Sequence, residues 1–591
     1  MTYLFKPYDG EVKNDTGNPL PISKDTSDNS AENPIFVDTG LIIPPAFDGE
    51  IKNDVGHPIP ISQNTTANSA ENPIYVDSAI TGTVTIDRAE SPSTVTAFGE
   101  QYGLTITPVI QLDAIYGITS EVIQTYNNGT GSGAGGTPLS ALFSVNTGTS
   151  AGGYGVLRSK RFLRYRTGQG ALCRFTAAFT AGVPNSLQFA GLANQENRIA
   201  IGYDGDKFGV CRSTGGKTEI RQLTINSIST GSQTLTITLN GTAFTVTVNT
   251  ASPQDAAVAI ANRVGGYTGW LVDQVDNTIV FMSNTLGAKS GTYSLTGSGT
   301  VSGTFNQRQL GITQTDNWTY QYQWNVDTLG AIDPATGLRH TRNPSGMTLD
   351  PTKLNVYQIN FRWLGAGEIR YALEDQATGQ MIFIHKEHYT NQNSVPHIAN
   401  PSFKITYAAY NTTNTSNLTV TGASMMGAIE GTIFQNELNR STSVSKTTLS
   451  SGTLHHLLTL RNPYVTNGAA GAYNGNYILN AKEIILKDIS IGTQGNDPGI
   501  VYIFFEPTSF SGTHSYHSQP KDNGMISTAD GTIDETVDTA VCRFVTAING
   551  EAQYKLSDFR IAIPPGSSIS IAIKSTSNIS RVSAALVFSE D

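Results

Sequence analysis

Residues 354–375 read LNVYQINFRWLGAGEIRYALED, and this stretch decides the fold class of the chain. Apolar and polar residues alternate on both sides of a glycine-rich turn, which is typical of two antiparallel strands joined by a hairpin. Three upstream segments have the same character: RSKRFLRYR (158–166), ALCRFTAAF (171–179) and FAGLANQENRIAIGYDGDKFGV (189–210). Their β-branched and aromatic residues, separated by tight turns, predict an all-β body.

The W-x-G-x-G-x-I turn at Trp363 to Ile369 carries a resemblance. With its flanking strands it resembles the meander of the concanavalin-like jelly-roll sandwich, and also the same stretch of phage structural proteins. The resemblance implies two facing sheets, formed by residues 79–222 together with 310–428. A fold alone does not fix a function, so the function needs separate arguments.

Residues 223–309 are predicted to be a module inserted into this sandwich. The runs LTINSIS and QTLTITLNGTAFTVTV read as strands, the second broken by a turn at Asn240-Gly241. Ser252-Pro253-Gln254-Asp255 has the pattern of a helix N-terminus, and Ala257, Ile260, Ala261 and Val264 follow with helical spacing. Two further strand-like runs give a ββαββ unit, similar to small modules inserted in phage tail and capsid proteins. Residues 429–591 predict a last β-sandwich.

The chain opens with a tandem repeat. Tyr8 to Asp38 and Phe47 to Asp77 align without a gap at an offset of 39 residues, and about two-thirds of the positions are identical. Each copy has few large apolar residues, so two copies bury little surface against the cost of ordering the backbone. Residues 1–78 are therefore predicted to be an extended anchoring arm laid on a partner; a pair of small hairpins in a self-contained domain is the alternative.

The repeat resembles segments near the N-termini of virion proteins of tailed bacteriophages, chiefly the contractile-tailed phages of marine cyanobacteria. The matching residues are Glu11 to Ile22 and Glu50 to Ile61. The resemblance implies that the arm anchors the protein to the particle. The predicted anchoring residues are Lys13, Asn14, Asp15, Gly17, Pro19, Pro21, Lys52, Asn53, Asp54, Gly56, Pro58 and Pro60.

The composition and the charge of the chain restrict the classes of partner that it is expected to bind. Charged residues make up 14% of the chain, and the net charge is −10. Residues 1–78 hold 12 Asp/Glu and 4 Lys, which is −8, and leave −2 for the other 513 residues. A nucleic-acid partner is not expected, because phosphate binding needs a basic footprint. No apolar run approaches 18 residues, and the first residues lack the pattern of a signal peptide, so no membrane insertion is expected.

No cofactor, metal or catalytic site is expected from the motifs. His385/His388 and His514/His517 have His-x-x-His spacing, but positions three apart on a strand point to opposite faces. The adjacent pair His455-His456 is an equally weak candidate for a metal site. Asp204 and Asp206, in a Tyr-Asp-Gly-Asp turn, are interpreted as turn formers, with a Ca²⁺ site as the alternative. Three scattered cysteines are interpreted as buried small hydrophobes: Cys173, Cys211 and Cys542.

A basic cluster is the sharpest charged feature of the body. Five cations fall within nine residues: Arg158, Lys160, Arg161, Arg164 and Arg166. If the segment is a strand, Arg164 and Arg166 share one face. The cluster is then either a solvated face or a docking site for acidic partner segments, such as acidic arms from neighbouring copies.

Two functions compete on these patterns, and a glycan-degrading enzyme is kept as a third alternative. The first is a non-enzymatic structural component of a tailed-phage virion, assembled in the host cytoplasm, which contacts other virion proteins and decorates the head, neck, tail or baseplate. The second is a host-recognition tail fibre that binds surface glycans, with Tyr320, Tyr322, Trp324 and Trp363 as candidates for stacking on sugars. A homo-oligomer is expected in either case, and a trimer in the case of a fibre.

Overall fold

The computed structural model describes residues 105–432, 438–467, 477–507, 516–518, 525–527, 531–533, 535–559 and 561–590. The tandem repeat and its predicted anchoring residues lie outside the described residues. Nine strands come first: β1 (Ile106–Asp113), β2 (Ile123–Asn128), β3 (Gly133–Thr137), β4 (Leu142–Asn146), β5 (Tyr154–Ser159), β6 (Ala171–Phe179), β7 (Ser186–Ala193), β8 (Arg198–Asp204) and β9 (Lys207–Thr214).

The next elements form the inserted module. They are β10 (Thr218–Ile228), β11 (Ser232–Leu239), β12 (Thr242–Asn249), α1 (Pro253–Ala261), β13 (Trp270–Val275), β14 (Thr278–Leu286), β15 (Ser294–Gly297) and β16 (Val301–Gln309). A four-stranded sheet of order β13-β14-β10-β16 and a three-stranded sheet of order β12-β11-β15 share one core with the helix. The module therefore has seven strands, three more than the four of the predicted ββαββ pattern: one more before the helix and two more after it.

The helix begins as its sequence indicates. The side chain of Ser252 accepts a hydrogen bond from the backbone N–H of Asp255 at 3.2 Å, and Pro253 occupies the first turn. The helix ends at Ala261, so Val264 lies beyond it and is exposed rather than part of the apolar face.

The chain then returns to the first sandwich. The returning strands are β17 (Thr315–Tyr320), β18 (Asn355–Phe361), β19 (Ile369–Glu374), β20 (Met381–Glu387), β21 (Lys404–Asn411), β22 (Thr419–Gly422) and β23 (Ser424–Glu430). β17 pairs directly with β9, Thr315 opposite Thr214, so the strands on either side of the inserted module are neighbours in one sheet.

Two sheets form the first sandwich. One has seven strands in the order β17-β9-β8-β7-β21-β5-β2, and the other has nine, with β20-β19-β18-β6-β22-β4-β3 as its main path and β23 joining β6 to β1. Their facing side chains share one core, which includes Phe175 and Tyr357 from one sheet and Ile201 and Tyr407 from the other. The Tyr407 hydroxyl donates to the carbonyl of Thr176 at 2.7 Å across the core. The predicted all-β sandwich class is confirmed.

The C-terminal domain is a second sandwich. Its strands are β24 (Asn439–Leu449), β25 (His455–Arg461), β26 (Val465–Asn467), β27 (Tyr477–Leu479), β28 (Ile484–Gly495), β29 (Gly499–Phe505), β30 (His517–Ser518), β31 (Met525–Ser527), β32 (Cys542–Val545), β33 (Glu551–Lys555), β34 (Ala562–Ile563), β35 (Ser568–Ser575) and β36 (Ile579–Glu590). Five- and six-stranded sheets enclose an apolar core, and β26 and β27 form a separate hairpin. Within the described ranges, no helix has the length and apolarity needed to cross a membrane.

Candidate binding surface

Apolar and aromatic side chains also occupy the face of the seven-stranded sheet that points away from the core, which we call the outer face. Side chains alternate along each strand, so residues next to core positions point outward. On β5, Leu157 lies in the core, whereas Val156 belongs to a separate apolar cluster with Phe189 and Ala408. The outer face is therefore not a fully solvated surface.

Aromatic rings form a row on the outer face. The ring centroids of Tyr154 and Tyr410 are 5.8 Å apart, and those of Tyr410 and Phe189 are 6.4 Å apart with planes inclined by 17°. Tyr126 lies beside them on β2, across from Val156. Tyr126, Tyr154 and Tyr410 are half-buried, so they retain some accessible surface. We call these four residues the aromatic row.

An arginine lies at each end of the aromatic row. The guanidinium of Arg198 lies 4.6 Å from the centre of the Phe189 ring and forms a salt bridge with Asp316 at 2.9 Å. The guanidinium of Arg158 lies 4.7 Å from the centre of the Tyr126 ring. Cation–π contacts of this kind contribute about 0.5–2 kcal/mol, depending on how far the pair is removed from water.

Arg158 and Lys404 form a buried cationic pair on the same face. Arg158 lies opposite Thr406 in the β5–β21 ladder, two residues from Lys404, and the two side chains are 9% and 3% exposed. Nε of Arg158 donates to Oε1 of Gln124 at 3.1 Å, and Nη2 donates to the Tyr126 hydroxyl. Nζ of Lys404 lies 4.7 Å from the centre of the Phe162 ring. Burial, followed by repulsion from Arg158, holds the pKa of Lys404 well below its usual value.

Two other residues of the predicted basic cluster, Lys160 and Arg161, lie where the C-terminal domain meets the first sandwich. Nζ of Lys160 contacts Glu506 at 2.7 Å, and Arg161 contacts Glu483 at 2.9 Å. Glu483 also accepts a hydrogen bond from the backbone N–H of Phe162 at 3.2 Å. Two of the five cations thus contact acidic residues of the same chain, whereas docking of acidic segments from a partner stays a prediction.

The strand predicted for residues 158–166 is wrong beyond its first two residues. β5 ends at Ser159, and Leu163 forms only an isolated bridge with Phe403. Arg164 and Arg166 are half-buried in irregular backbone, so no strand pleat places them on one face. The density of cations in a sequence does not reveal where the ladder of hydrogen bonds stops.

The C-terminal domain also contacts the inserted module. Ile220, Val280 and Met282 of the module form one apolar cluster with Val465 and Leu479. We call this region, together with the charged contacts of Lys160 and Arg161, the seam. Beside the apolar cluster, Arg461 and Asp273 form a buried ion pair at 2.9 Å, and the backbone N–H of Tyr464 donates to Asp273 at 2.8 Å.

The other aromatic candidates separate into core and surface residues. Trp324 is fully buried in the core and donates its indole N–H to Thr319, so it is not available to stack on a sugar. Trp363 packs edge-on against Tyr165 at 5.3 Å and donates to Ile398. Tyr320 and Tyr322 are half-buried, with ring centroids 6.3 Å apart.

The Tyr-Asp-Gly-Asp turn is tied to the Tyr320 side chain. The Tyr320 hydroxyl donates to Asp204 at 2.9 Å, and burial together with this carboxylate raises the pKa of Tyr320 to about 12. Lys207 lies 5.1 Å from the centre of the same ring. Asp204, at the end of β8, therefore holds the end of β17 across the intervening strand β9, as expected of a structural turn residue.

The histidine pairs do not converge. His385 is buried, and burial lowers its pKa to about 4, whereas His388 is exposed. His456 is buried against Thr459 on β25, while His514 lies outside the described residues. Among the residues that the structure describes, no group of three or more His, Cys, Asp or Glu side chains could hold a metal ion. The three cysteines are buried and unpaired, which confirms their interpretation as small hydrophobes.

Sequence reasoning identified Arg158 but missed Lys404 and the aromatic row. Tyr126, Tyr154, Tyr410 and Lys404 come from three strands spread over nearly 300 residues. Alternation gives a signal only for Lys404, which lies between the core residues Phe403 and Ile405, and for Tyr410, which follows Ala409. It was not usable without the order of the strands in the sheet.

Comparison with known proteins identifies no family. No family model matches the chain, and no curated protein matches it. Among solved structures, arcelin-5, a lectin-like defence protein from Phaseolus vulgaris, aligns at 8% identity over 55% of this chain and 99% of its own, with a TM-score of 0.20. The binding domain of botulinum neurotoxin serotype C1 aligns at 8% identity over 79% and 94%, with a TM-score of 0.22. At these scores neither likeness carries an argument about function.

Proposed function

We propose that this chain is a non-enzymatic structural component of a tailed-phage virion, attached to the particle through residues 1–78. The observation that carries the proposal is the gapless 39-residue duplication, which resembles N-terminal segments of phage virion proteins. An acidic segment poor in apolar residues gains order most readily against a partner surface. Its two copies would make equivalent contacts there.

The described body is compatible with this role. Three β-rich units meet in the seam, where apolar packing and ion pairs connect them. The Gly-x-Ser-x-Gly pattern of a nucleophile elbow occurs at Gly148 to Gly152, but it lies in the turn between β4 and β5 and not between a strand and a helix. No phosphate-binding loop or zinc-hydrolase motif occurs in the sequence. We propose in addition that the protein forms a homo-oligomer, and a trimer if it is a fibre.

Truncation of the arm tests the virion proposal. We expect a chain lacking residues 1–78 to keep the melting temperature of the body but to be absent from purified particles, as measured by quantitative mass spectrometry. A variant that keeps one copy, residues 40–78, serves as the matched control and should be incorporated at an intermediate level. Incorporation of the double truncation at the wild-type level would refute the role of the arm.

A second function is favoured by a separate observation. The aromatic row on the outer face has the chemistry of a sugar-stacking surface, which suits a host-recognition fibre that binds glycans. A cryo-EM map of the intact particle separates the two functions. A position on the head or tail surface supports the decorating role, and a distal fibre tip supports host recognition.

A further inference from the structure

Arg158 and Lys404 are buried cations without a directly bonded carboxylate. Arg158 donates to the neutral acceptors Gln124 and Tyr126, and Lys404 faces the Phe162 ring. Within the described ranges, no salt bridge involves either side chain. Buried charges in proteins are usually paired, because removing an ion from water costs several kcal/mol when nothing replaces the solvent.

The charges around the pair do not balance. Four cations gather where the outer face meets the seam, namely Arg158, Lys160, Arg161 and Lys404. Among the residues that the structure describes, two carboxylates accompany them: Glu506 contacts Lys160, and Glu483 contacts Arg161. Glu483 attracts Lys404 as well, but its effect on the pKa of Lys404 is smaller than that of burial or of Arg158. The local sum is thus +4 − 2 = +2, and one or two further negative charges would complete the site.

The aromatic row continues from this cationic pair along the outer face. Arg158 contacts Tyr126, and Tyr154, Tyr410 and Phe189 follow across the neighbouring strands. Aromatic faces pack against the apolar C–H faces of pyranose rings, and guanidinium and ammonium groups bind carboxylate or sulfate. A ligand that satisfies both features carries an anionic group on a sugar ring.

We propose that the outer face binds an acidic glycan, with the carboxylate or sulfate of one sugar at Arg158 and Lys404 and neighbouring sugars on the aromatic row. This inference gives a site and a ligand class to the second function and is independent of the arm. An acidic protein segment would satisfy the two cations but would leave the aromatic row without a role.

Binding to the full-length protein tests the ligand class. The probe is a galacturonic acid hexasaccharide, measured by isothermal titration calorimetry, and its fully methyl-esterified form is the neutral control with the same sugar backbone. We expect at least tenfold weaker binding of the ester. We also expect a hexaglutamate peptide and sodium sulfate to bind at least tenfold more weakly than the acidic hexasaccharide.

Variants test the site. Arg158→Gln and Lys404→Met should each weaken binding of the acidic hexasaccharide at least tenfold, whereas Lys353→Met, a loss of an exposed lysine elsewhere on the sandwich, should leave it unchanged. If Arg158→Gln fails to fold, the binding of the acidic hexasaccharide to Lys404→Met alone tests the site. Tyr154→Ala should weaken binding of both the acid and the ester, because stacking does not depend on charge.

The inference is overturned by no binding of the acidic hexasaccharide, by equal binding of acid and ester, or by binding of hexaglutamate as tight as that of the sugar. The last would indicate a docking site for an acidic protein segment. Equal binding of sulfate and hexasaccharide would indicate an adventitious ion only, and also counts against the proposal. Incorporation of Lys404→Met into particles, measured in parallel, reports on the virion proposal separately.

Discussion

Lys404 is a single residue whose burial lowers the stability of the folded protein. Its ammonium lies beside Arg158 and the Phe162 ring, with Lys160 and Glu483 as the other charged groups that act on it. A lysine whose pKa is lower in the folded than in the unfolded state makes the folded state less stable wherever the unfolded lysine is charged. Residues retained at such a cost are common at binding sites.

We predict that Lys404→Met raises the melting temperature of the first sandwich at pH 7, by roughly 2–4 °C for each kcal/mol regained if it unfolds as a domain of about 150–250 residues. The pKa of Lys404 is lower in the folded state than the value of about 10.4 in the unfolded state, so wild-type stability rises with pH and the gain of the variant shrinks toward pH 10. Differential scanning calorimetry from pH 6 to pH 10 measures both. A variant that is less stable at every pH would show that the ammonium is already well compensated.

The Asp273–Arg461 pair is a second residue-scale case. It lies in the seam, with side chains 2% and 19% exposed. Burial raises the pKa of Asp273, while Arg461 and the backbone N–H of Tyr464 act in the opposite direction. Breaking such a pair on one side leaves an uncompensated buried charge.

We predict that Arg461→Met lowers the free energy of unfolding by about 3–5 kcal/mol, as is typical of a broken buried ion pair. The double variant Arg461→Met/Asp273→Leu should regain most of the loss, because no charge then stays buried alone. Urea denaturation followed by tryptophan fluorescence gives the values. Equal losses in the single and double variants would mean that shape, and not charge, makes this contact.

At the scale of elements, the pairing of β9 with β17 explains how the sandwich accommodates its insertion. Thr214 lies opposite Thr315, and Lys217 bridges to Ile312, so the chain leaves and re-enters the sheet at neighbouring points. The sheet therefore needs only a tight turn to close if the module is absent. The module also covers Val465 and Leu479 of the C-terminal domain, so its removal affects more than one sheet.

We predict that replacing residues 217–312 by a short Gly-Ser turn leaves the first sandwich folded but destabilises the C-terminal domain. Hydrogen exchange monitored by mass spectrometry should show unchanged protection in β7, β8 and β21 and faster exchange in β26 and β27. Deletion of the module exposes Val465 and Arg461, which contact it in the intact chain. Adding Val465→Ser and Arg461→Gln to the deletion variant should therefore reduce its aggregation. Loss of protection throughout β7 and β8 would show that the module is needed for the sandwich itself.

At the scale of the whole molecule, charge is divided between an acidic N-terminal segment and a nearly neutral body. Residues 1–78 carry −8 of the net −10. Inside the body, the predicted basic cluster is used partly within the chain, through Lys160 and Arg161 in the seam. Long-range attraction between arm and body is screened beyond about 8 Å at physiological ionic strength, so any contact between them has to be short-ranged.

Several features followed from the sequence because they depend on neighbouring residues. Alternation and turn residues predicted strands around the Trp363–Ile369 turn, and Ser252 with Pro253 predicted the start of α1. The tandem repeat needed no structure at all. These are local properties of backbone sterics and hydrogen bonding, which a short window of sequence contains.

The outer-face site was decided by tertiary structure alone. Arg158 and Lys404 are 246 positions apart in the chain and become neighbours only because β21 pairs with β5. Alternation predicts which face of its own strand a side chain occupies, but it does not predict which strands are neighbours in the sheet. The same holds for the seam, where Glu483 and Glu506 contact cations more than 300 residues earlier. Strand order depends on the packing free energy of the whole sandwich, and so a single sequence determines the elements of this protein while the tertiary fold determines its sites.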